Sequence, residues 1–366
     1  MIFDLAVGLN QIGHFAAVVA TQVGEEDYGN YEEYLVGLRK HGVPLHLVDS
    51  TFKRDVYRNV AAAAMVRRLI VEEEIDLLHT HAAVPSLVGI IARSGLDRKI
   101  PIVQTVHDGL GWGLRKTPAQ RRMDAVIINS VERVVMVSEG ARNFFVEQGI
   151  EASKVEVIYN GIGPPPADVA LSDPDWRKLH RLKQQGEQIV GCVGTVCVRK
   201  NQALLIEALG RLRSRYPRLH AVFVGEGEII PALKKRAGEL GLEGRVHFLG
   251  YKEQAACYMR LFDCLVLPSK SEALPLAPLE AFRERVPVVA SDIPGVNEIV
   301  VDGHTGILFA GWDAEDLARA VDRALSLEPS AREAMVCRAH AEYLSRFTTA
   351  TMLENYLRVY AELLQS

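Results

Sequence analysis

The alternation of two kinds of segment constrains the fold of this chain most. Short apolar runs rich in β-branched residues alternate with segments whose apolar residues recur every three to four positions. This order is typical of βαβ units, in which parallel strands form a sheet that helices cover. The runs that we predict as strands are 15–22, 44–50, 75–81, 101–108, 133–139, 155–161, 188–196, 220–227, 245–250, 262–269, 286–292 and 305–310.

Two domains follow from the length of the chain and from a break in its middle. A chain of 366 residues is too long for one ordinary core and suits two. The break is the stretch GIGPPPADVALSDPDW, whose consecutive prolines and polar residues are typical of a linker. We therefore predict an α/β protein of two Rossmann-like, doubly wound domains, 1–162 and 188–347, joined by a linker at 163–187. Such domains usually face each other across a cleft lined by loops at the C-terminal ends of their strands.

The first residues depart from the usual order of a doubly wound domain. The stretch MIFDLAVGLNQIG predicts a helix, because its apolar residues fall on one face. Such a domain normally opens with a strand and a glycine-rich turn before this helix. We therefore expect the first strand of the N-terminal domain to be missing. Three explanations are open: the chain is truncated, its true start lies upstream, or another element takes the place of the missing strand.

Charge and cysteine content exclude several classes of protein. The formal net charge is −4, and neither half forms the basic block that nucleic-acid binding requires. The five cysteines lack zinc spacing and suit reduced thiols in a cytosolic protein. We find no apolar run long enough to span a bilayer and no signal-peptide pattern, so we expect a cytoplasmic protein.

An uncharged loop between two glutamates is the first candidate for a binding site. In SEALPLAPLEA, Glu272 and Glu280 flank a stretch that precedes a predicted helix. The backbone N–H groups of Leu276 and Ala277 lie at the start of that helix, where anions bind. Carboxylates beside them can accept hydrogen bonds from the vicinal hydroxyls of a sugar or ribose. The alternative is two solvated glutamates on either side of a helix start.

Glycines after two further strands mark the same predicted sheet edge. In GTVCVRKNQ, Gly194 ends a strand, and Arg199 and Lys200 follow as a cation pair that suits a diphosphate. In VFVGEG, Gly225 and Gly227 match half of a dinucleotide fingerprint, which is a weak signal alone. The alternatives are a solvated basic pair and a tight turn.

His107 ends a predicted strand in the first half, where it could bind a substrate hydroxyl or transfer a proton. A structural histidine is the commoner case. The pair His79 and His81 resembles metal ligands by type, but alternate strand residues can both be structural. Asp173-Pro174-Asp175 resembles a metal-binding Asp-x-Asp but lies in the predicted linker, so we reject it. The basic run 115–123 could touch anionic lipid or an acceptor phosphate, or it is a solvated helix face.

Taken in order, these segments resemble the retaining glycosyltransferases of family 4, which have the GT-B fold of two Rossmann-like domains. The resemblance covers almost the whole chain. Its most specific part is the pair of glutamates eight residues apart followed by PVVASDIPGVNEIVVDGHTGILF. KVEVIYNGI, VFVGEGEIIPAL, VHFLGY and LLHTHAAVPSLVGIIAR also resemble family segments.

The resemblance implies roles for particular residues. Lys200 would contact the donor diphosphate, Glu280 the ribose hydroxyls and Glu272 the hydroxyls of the transferred sugar. Backbone N–H groups of Leu276 and Ala277 would bind phosphate or sugar. His107 would lie near the reacting centre. The residues that would flank the nucleobase are Gly225, Gly227 and the backbone near Tyr251.

Two departures from the family pattern concern these residues. The family commonly has arginine directly after the glycine that matches Gly194, where this chain has Thr195. We expect Arg199 to supply that charge instead. The loop that matches Glu-x-Phe-Gly reads Glu-Ala-Leu-Pro.

The resemblance further implies a metal-independent enzyme with no cofactor other than a nucleotide sugar as co-substrate, by default a UDP-sugar. The acceptor would be a glycan, a lipid-linked molecule or a small molecule, read by loops around 24–33 and 108–123, with peripheral contact at the inner membrane face. Residues 1–162 would form the acceptor-side domain, 188–347 the nucleotide-sugar domain, and 348–366 a helix that packs back on the first domain. The alternatives are a degenerate homologue that binds nucleotide or a partner without turnover, and a nicotinamide dehydrogenase.

Overall fold

The computed structural model describes residues 1–22, 31–49, 52–108, 116–165 and 172–365. It divides into two compact units, which we describe separately. Unit 1 comprises Met1–Gly161 and Thr349–Ser366, and unit 2 comprises Ile162–Thr348. The predicted acceptor loops 24–33 and 108–123 lie partly outside the described residues.

Unit 1 alternates helices and strands from its first residues. The predicted N-terminal helix is confirmed. The elements in order are α1 Ile2–Gln11, β1 Val18–Thr21, α2 Tyr31–Lys40, β2 Leu45–Val48, α3 Val56–Glu72, β3 Leu78–His81, α4 Ala83–Arg93, β4 Ile102–Val106, α5 Pro118–Asn129, β5 Arg133–Met136, α6 Glu139–Glu147 and β6 Val155–Val157.

The strands of unit 1 form two parallel sheets. β1 pairs with β2, and β3 to β6 form a four-stranded sheet in chain order. Every residue of β4 is buried, which suits a strand covered on both faces. Because β3 and β4 run parallel, the residues that end them lie at one edge of the sheet, and His107 is there.

Unit 2 contains the remaining predicted strands, so all twelve are confirmed. The elements in order are α7 Pro174–Gln184, β7 Gln188–Val193, α8 Gln202–Leu212, β8 Leu219–Val224, α9 Ile230–Glu239, β9 Val246–Phe248, α10 Ala255–Met259, β10 Cys264–Leu267, α11 Leu276–Arg283, β11 Val288–Ser291, β12 Ile307–Phe309, α12 Ala314–Leu325 and α13 Pro329–Arg346.

The sheet of unit 2 has a reversal of strand order at its centre. Its order is β12-β11-β10-β7-β8-β9, and all neighbours are parallel. The chain therefore builds outward from β7 on one side and then returns to β10 on the other. In doubly wound sheets, ligands bind beyond the carboxyl ends of the strands at this switch point. The loops after β7 and β10 are thus the expected position of a ligand-binding site.

The range predicted as a linker, 163–187, contains a helix and belongs to unit 2. Asp173 caps α7 by accepting hydrogen bonds from the backbone N–H groups of Asp175 and Trp176, and Pro174 follows as the first helical residue. An acid followed by proline is a strong helix start. Lys252 forms ion pairs with both aspartates at 2.9 and 2.8 Å. The Asp-x-Asp match therefore has a structural role.

The last helix, α14 (Thr349–Leu364), returns to unit 1. Met352, Tyr356 and Val359 of α14 share a buried cluster with Leu5 of α1 and Val103 of β4. The helix thus completes the core of unit 1 after the chain has built unit 2.

At the amino ends of β8 and β9 in the unit 2 sheet, four polar side chains contact one another in a row. The Lys178 ammonium lies 3.4 Å from His247 Nδ1, His247 Nε2 lies 3.0 Å from His220 Nδ1, and His220 Nε2 lies 3.1 Å from Glu187. Since lysine can only donate and the carboxylate only accept, every bond is satisfied when both histidines are neutral. Desolvation and the nearby charges of Lys178 and His220 lower the pKa of His247 to about 4.

Candidate functional site

The predicted site residues of unit 2 lie in loops that follow four strands of its sheet. Gly194, Thr195, Arg199 and Lys200 follow β7, and Gly225 and Gly227 follow β8. Tyr251, 40% exposed, follows β9. The stretch after β10 contains Glu272 and leads into α11, which begins at Leu276 and contains Ala277 and Glu280. All of them therefore belong to the carboxyl edge of one parallel sheet.

The cation pair and the first glutamate contact each other directly. The Lys200 ammonium lies 2.6 Å from Glu272 Oε1, and Arg199 Nη1 lies 3.2 Å from Glu272 Oε2. Arg199 Nη1 also donates to the backbone carbonyl of Ser271 at 2.6 Å. The Glu272 side chain is only 7% exposed, whereas that of Arg199 is 47% exposed. A buried carboxylate is costly unless it is paired, so the two cations explain how Glu272 can be held inside.

The second glutamate has a different environment. Glu280 is half-buried on α11, and no hydrogen bond from the described part of the chain reaches its carboxylate. Desolvation raises the pKa of Glu280 to about 7; nearby Arg283 opposes this shift and Glu284 adds to it. A desolvated carboxylate without a hydrogen-bond donor gains most from a ligand that brings hydroxyl groups.

The start of α11 presents backbone donors. Its N-cap is Pro275, and no side chain among the described residues caps the helix. Proline can offer no side-chain oxygen, so the N–H groups of Leu276 and Ala277 keep their capacity to donate. Leu276 is exposed. This is the arrangement that binds anions at helix starts.

The glycines after β7 and β8 let two loops touch through their backbones. Gly225 has φ +137°, and a Cβ there would lie 2.2 Å from the carbonyl oxygen of Gly194. A Cβ on Gly227 would lie 1.9 Å from the carbonyl oxygen of Val196. Val196 N donates to Glu226 O at 2.7 Å, and Gly225 N to Gly250 O at 2.8 Å. The glycines are therefore needed for packing between loops, whatever they contribute to a ligand.

Two residues that hold the site were not predicted from the sequence. Gln202 is 1% exposed and donates from Nε2 to the carbonyl of Thr195 at 2.8 Å, which ties the loop after β7 to α8. Gly295, with φ +81°, lies where a Cβ would approach the carbonyl oxygen of Ala273 to 2.1 Å. The Pro-Gly pair in DIPGVNE was a signal for a turn at Gly295. A buried glutamine after Lys-Asn had no such signal.

His107, the remaining predicted residue, belongs to unit 1 and is exposed. Its Nε2 lies 3.1 Å from His81 Nδ1, and the two rings stack with centroids 5.3 Å apart. His81 therefore fixes the ring of His107; His81 ends β3, and His107 follows the adjacent strand β4. The role of His107 at a reacting centre stays a prediction.

Behind these rings, His79 is held by α14. Its Nδ1 lies 2.6 Å from Tyr360 Oη, and its Nε2 lies 2.7 Å from Thr105 Oγ1, which also contacts Tyr356 Oη at 2.9 Å. Burial and the nearby charge of His107 lower the pKa of His79 to about 3. His79 is thus a neutral structural residue whose two nitrogens are both bonded. In the described ranges, no three His, Cys, Asp or Glu side chains group as a metal site would require.

The sequence matches two family descriptions that together span most of the chain. Residues 1–164 match "Glycosyltransferase Family 4", and residues 175–341 match "Glycosyl transferases group 1". The chain is 30% identical over 273 residues to the GDP-mannose-dependent alpha-(1-6)-phosphatidylinositol monomannoside mannosyltransferase of Mycolicibacterium smegmatis, covering 71% of this chain and 69% of that protein. It is 32% identical over 305 residues to the D-inositol 3-phosphate glycosyltransferase of Nocardia farcinica, covering 77% and 66% respectively.

Solved structures agree with this match at the level of fold. The Anabaena protein HepE, in complex with UDP and glucose, superposes with a TM-score of 0.80 at 21% identity over 99% of this chain and 95% of that one. The sucrose-phosphate synthase of Thermosynechococcus elongatus gives a TM-score of 0.77 at 18% identity, over 99% and 92% respectively.

The architecture of two Rossmann-like α/β domains is the GT-B fold of these glycosyltransferase structures. Within that class, the chain belongs to glycosyltransferase family 4. This membership confirms the family resemblance read from the sequence and removes the dehydrogenase alternative.

Proposed function

We propose that this chain transfers a sugar from a nucleotide-sugar donor to a hydroxyl acceptor with retention of anomeric configuration and without a metal ion. Arg199, Lys200 and the start of α11 would bind the donor diphosphate, and Glu280 would accept hydrogen bonds from ribose hydroxyls. Glu272 would contact the transferred sugar. The observation that most supports this proposal is the grouping of two cations and an uncapped helix start at the switch point of the sheet.

The chemistry needs charge stabilisation more than proton transfer by the protein. The bond from the anomeric carbon to the diphosphate oxygen breaks, and the diphosphate leaves with the electron pair. The acceptor oxygen then bonds to the anomeric carbon on the same face and gives its proton to the departing phosphate. Positive charge develops on the sugar and negative charge on the leaving group. Cations and backbone N–H groups fixed before the reaction stabilise that leaving group.

Donor binding would change the ion cluster around Glu272. In the ligand-free chain, this carboxylate forms ion pairs with Lys200 and Arg199. A diphosphate brings negative charges that compete for the same cations, so Glu272 would be released to accept hydrogen bonds from sugar hydroxyls. The exposed Arg199 side chain is the one that can move most easily toward a ligand, which supports the view that it supplies the charge absent at Thr195.

The names of the relatives support the donor class and two acceptor types. One relative is named for GDP-mannose and a phosphatidylinositol mannoside, another for inositol 3-phosphate, and HepE was crystallised with UDP and glucose. For this chain we propose a UDP-sugar as the default donor and a glycan, lipid-linked or small-molecule acceptor. We further propose a cytoplasmic protein that contacts the membrane surface. No helix of the described segments is long and apolar enough to cross a bilayer.

Calorimetric titration with UDP-glucose and GDP-mannose tests donor binding, and slow transfer of the sugar to water tests the chemistry. We expect Lys200→Ala to lower that rate by about 10²- to 10³-fold, in line with the loss of one electrostatic donor. Lys235→Ala is the matched control, because Lys235 is 81% exposed on α9 in the same unit. The configuration of the released sugar, read by NMR before it mutarotates, tests retention, and turnover in EDTA tests metal independence.

Each outcome has a distinct meaning. A folded wild-type chain that binds neither nucleotide sugar contradicts the proposal. Binding without any turnover, in the presence of candidate acceptors, supports the degenerate homologue. An equal loss of rate in Lys235→Ala shows that the effect of Lys200→Ala is not specific to the site.

A further inference from the structure

The solvent side of α3 is apolar, which is unusual for a helix on the surface of a folded domain. Its inner side packs into a core with Ala62, Ala63 and Ile70. On its outer side, Val56 is 75% exposed and Tyr57 88% exposed, and Val60 is also exposed. A helix that is apolar on both sides normally buries both. Exposed apolar side chains grouped in this way are typical of a surface that contacts another molecule or a membrane.

Helix α5 contributes two exposed apolar side chains near the start of α3. Arg54, two residues before α3, donates to Met123 Sδ at 3.4 Å and also bonds to the carboxylate of Asp124. Met123 and Val126 lie one turn apart on α5, and both are exposed. We call Val56, Tyr57, Val60, Met123 and Val126 the α3–α5 face.

The two segments that carry the α3–α5 face are rich in cations. Residues 52–72 contain five Lys and Arg and two Asp and Glu, and residues 116–129 contain three and one, which gives +3 and +2. Together the two segments carry a net charge of +5, whereas the formal net charge of the whole chain is −4. The acid on α5, Asp124, is fully buried and paired with Arg54 and Lys116, so it presents no negative charge at the surface.

We propose that the α3–α5 face docks this protein onto an anionic lipid bilayer. Exposed aliphatic and aromatic side chains with cations around them match the interface between acyl chains and acidic headgroups. A second copy of the chain fits less well, since a two-fold contact would bring two surfaces of +5 together. The proposal deepens the membrane contact suggested for the proposed function, but it does not depend on sugar transfer.

Cosedimentation with vesicles tests docking in the absence of donor and acceptor. The full chain is mixed with vesicles of phosphatidylcholine alone or with about one third phosphatidylglycerol. We expect binding only to the anionic vesicles, and about tenfold or more weaker binding at 0.5 M salt, where screening is strong.

Surface variants then locate the docking site. We expect Val56→Ser with Tyr57→Ser, and separately Arg58→Glu with Arg68→Glu, each to weaken vesicle binding by about tenfold or more. Leu344→Ser is the matched control, because Leu344 is a helical apolar residue of unit 2 that is 56% exposed. All these side chains are exposed, so the variants should keep the thermal unfolding midpoint of the wild-type chain.

Several results would overturn the inference: no binding to anionic vesicles, equal binding to neutral ones, or variants that bind as the wild type does. So would a stable dimer that Val56→Ser with Tyr57→Ser makes monomeric. Binding of UDP-glucose or GDP-mannose, measured on the same samples, separates this test from that of the proposed function. Binding of donor without binding of vesicles would contradict only the docking proposal. Binding of vesicles without binding of donor would contradict only the proposed transferase function.

Discussion

The raised pKa of Glu280 predicts that donor affinity depends on pH. The carboxyl titrates at a pKa of about 7 in the ligand-free chain because it is desolvated and accepts no hydrogen bond from the described residues. Ribose hydroxyls would donate to its ionised form and stabilise that form. Binding should therefore lower the pKa and release a proton. The donor itself does not titrate here, since both phosphates of a nucleotide sugar keep their charge near neutral pH.

The size of the effect follows from linkage between protonation and binding. If the bound carboxyl returns to an ordinary pKa of about 4.5, affinity should fall roughly thirtyfold from about pH 8.5 to about pH 5.5. Below pH 7 the protonated form of the Glu280 carboxyl dominates, and this form lacks the negative charge that accepts hydrogen bonds from the ribose hydroxyls. Affinity for the donor should therefore decrease as the pH falls. At pH 7, where half the carboxyls are protonated, binding should release about half a proton per donor.

Calorimetry measures both quantities. Dissociation constants across this pH range give the slope, and titrations at pH 7 in buffers of different ionisation enthalpy give the proton count. Glu280→Gln is the matched variant, because its amide cannot ionise and should flatten the profile. A flat profile in the wild-type chain, or an equal slope in Glu280→Gln, would refute the reasoning.

Three further predictions concern stability. Gly227→Ala should lower the free energy of unfolding by about 1–3 kcal/mol in urea, because its Cβ meets a backbone carbonyl; Gly244→Ala, with open space around it, should not. Acid should destabilise the chain as the pH falls below 6.5, since His247 and His79 must stay neutral and their pKa values are lowered to about 4 and about 3; the unfolding temperature of His247→Gln should fall less steeply with acid than that of the wild-type chain, and an equal fall would contradict this. Tyr360→Phe should cost about 1–2 kcal/mol by leaving His79 Nδ1 without its partner; an unchanged melting temperature would contradict this.

The strands were predictable because each is a short β-branched run between polar segments. β10, which is buried throughout, is a continuous apolar stretch, as is typical of strands covered on both faces. Helix α7 differs from the predicted linker because the three consecutive prolines lie upstream of it, at residues 164–166. Asp-Pro is a signal for a helix start, and it indicates the capping role of Asp173 better than the Asp-x-Asp metal motif does.

The site was predictable in its residues but not in its contacts. Glycine turns and an apolar helix start are local signals, and the residues that they mark follow strands of one parallel sheet. The sequence does not predict the bonds of Glu272 to Arg199 and Lys200. More than seventy residues separate the partners, and only the pairing of β7 with β10 brings them together. The desolvation of Glu280 likewise depends on packing around α11, which no spacing of residues reveals.

The return of α14 to unit 1 has a consequence for synthesis on the ribosome. Unit 2 is continuous, so all of its residues have been made before the last segment of unit 1 exists. The N-terminal segment must then wait, with the apolar surface around Leu5 and Val103 uncovered, until Met352 and Tyr356 emerge. A nascent chain stalled near residue 348 would contain every residue of unit 2, together with a unit 1 that lacks only its last helix and the cover that this helix gives to its core.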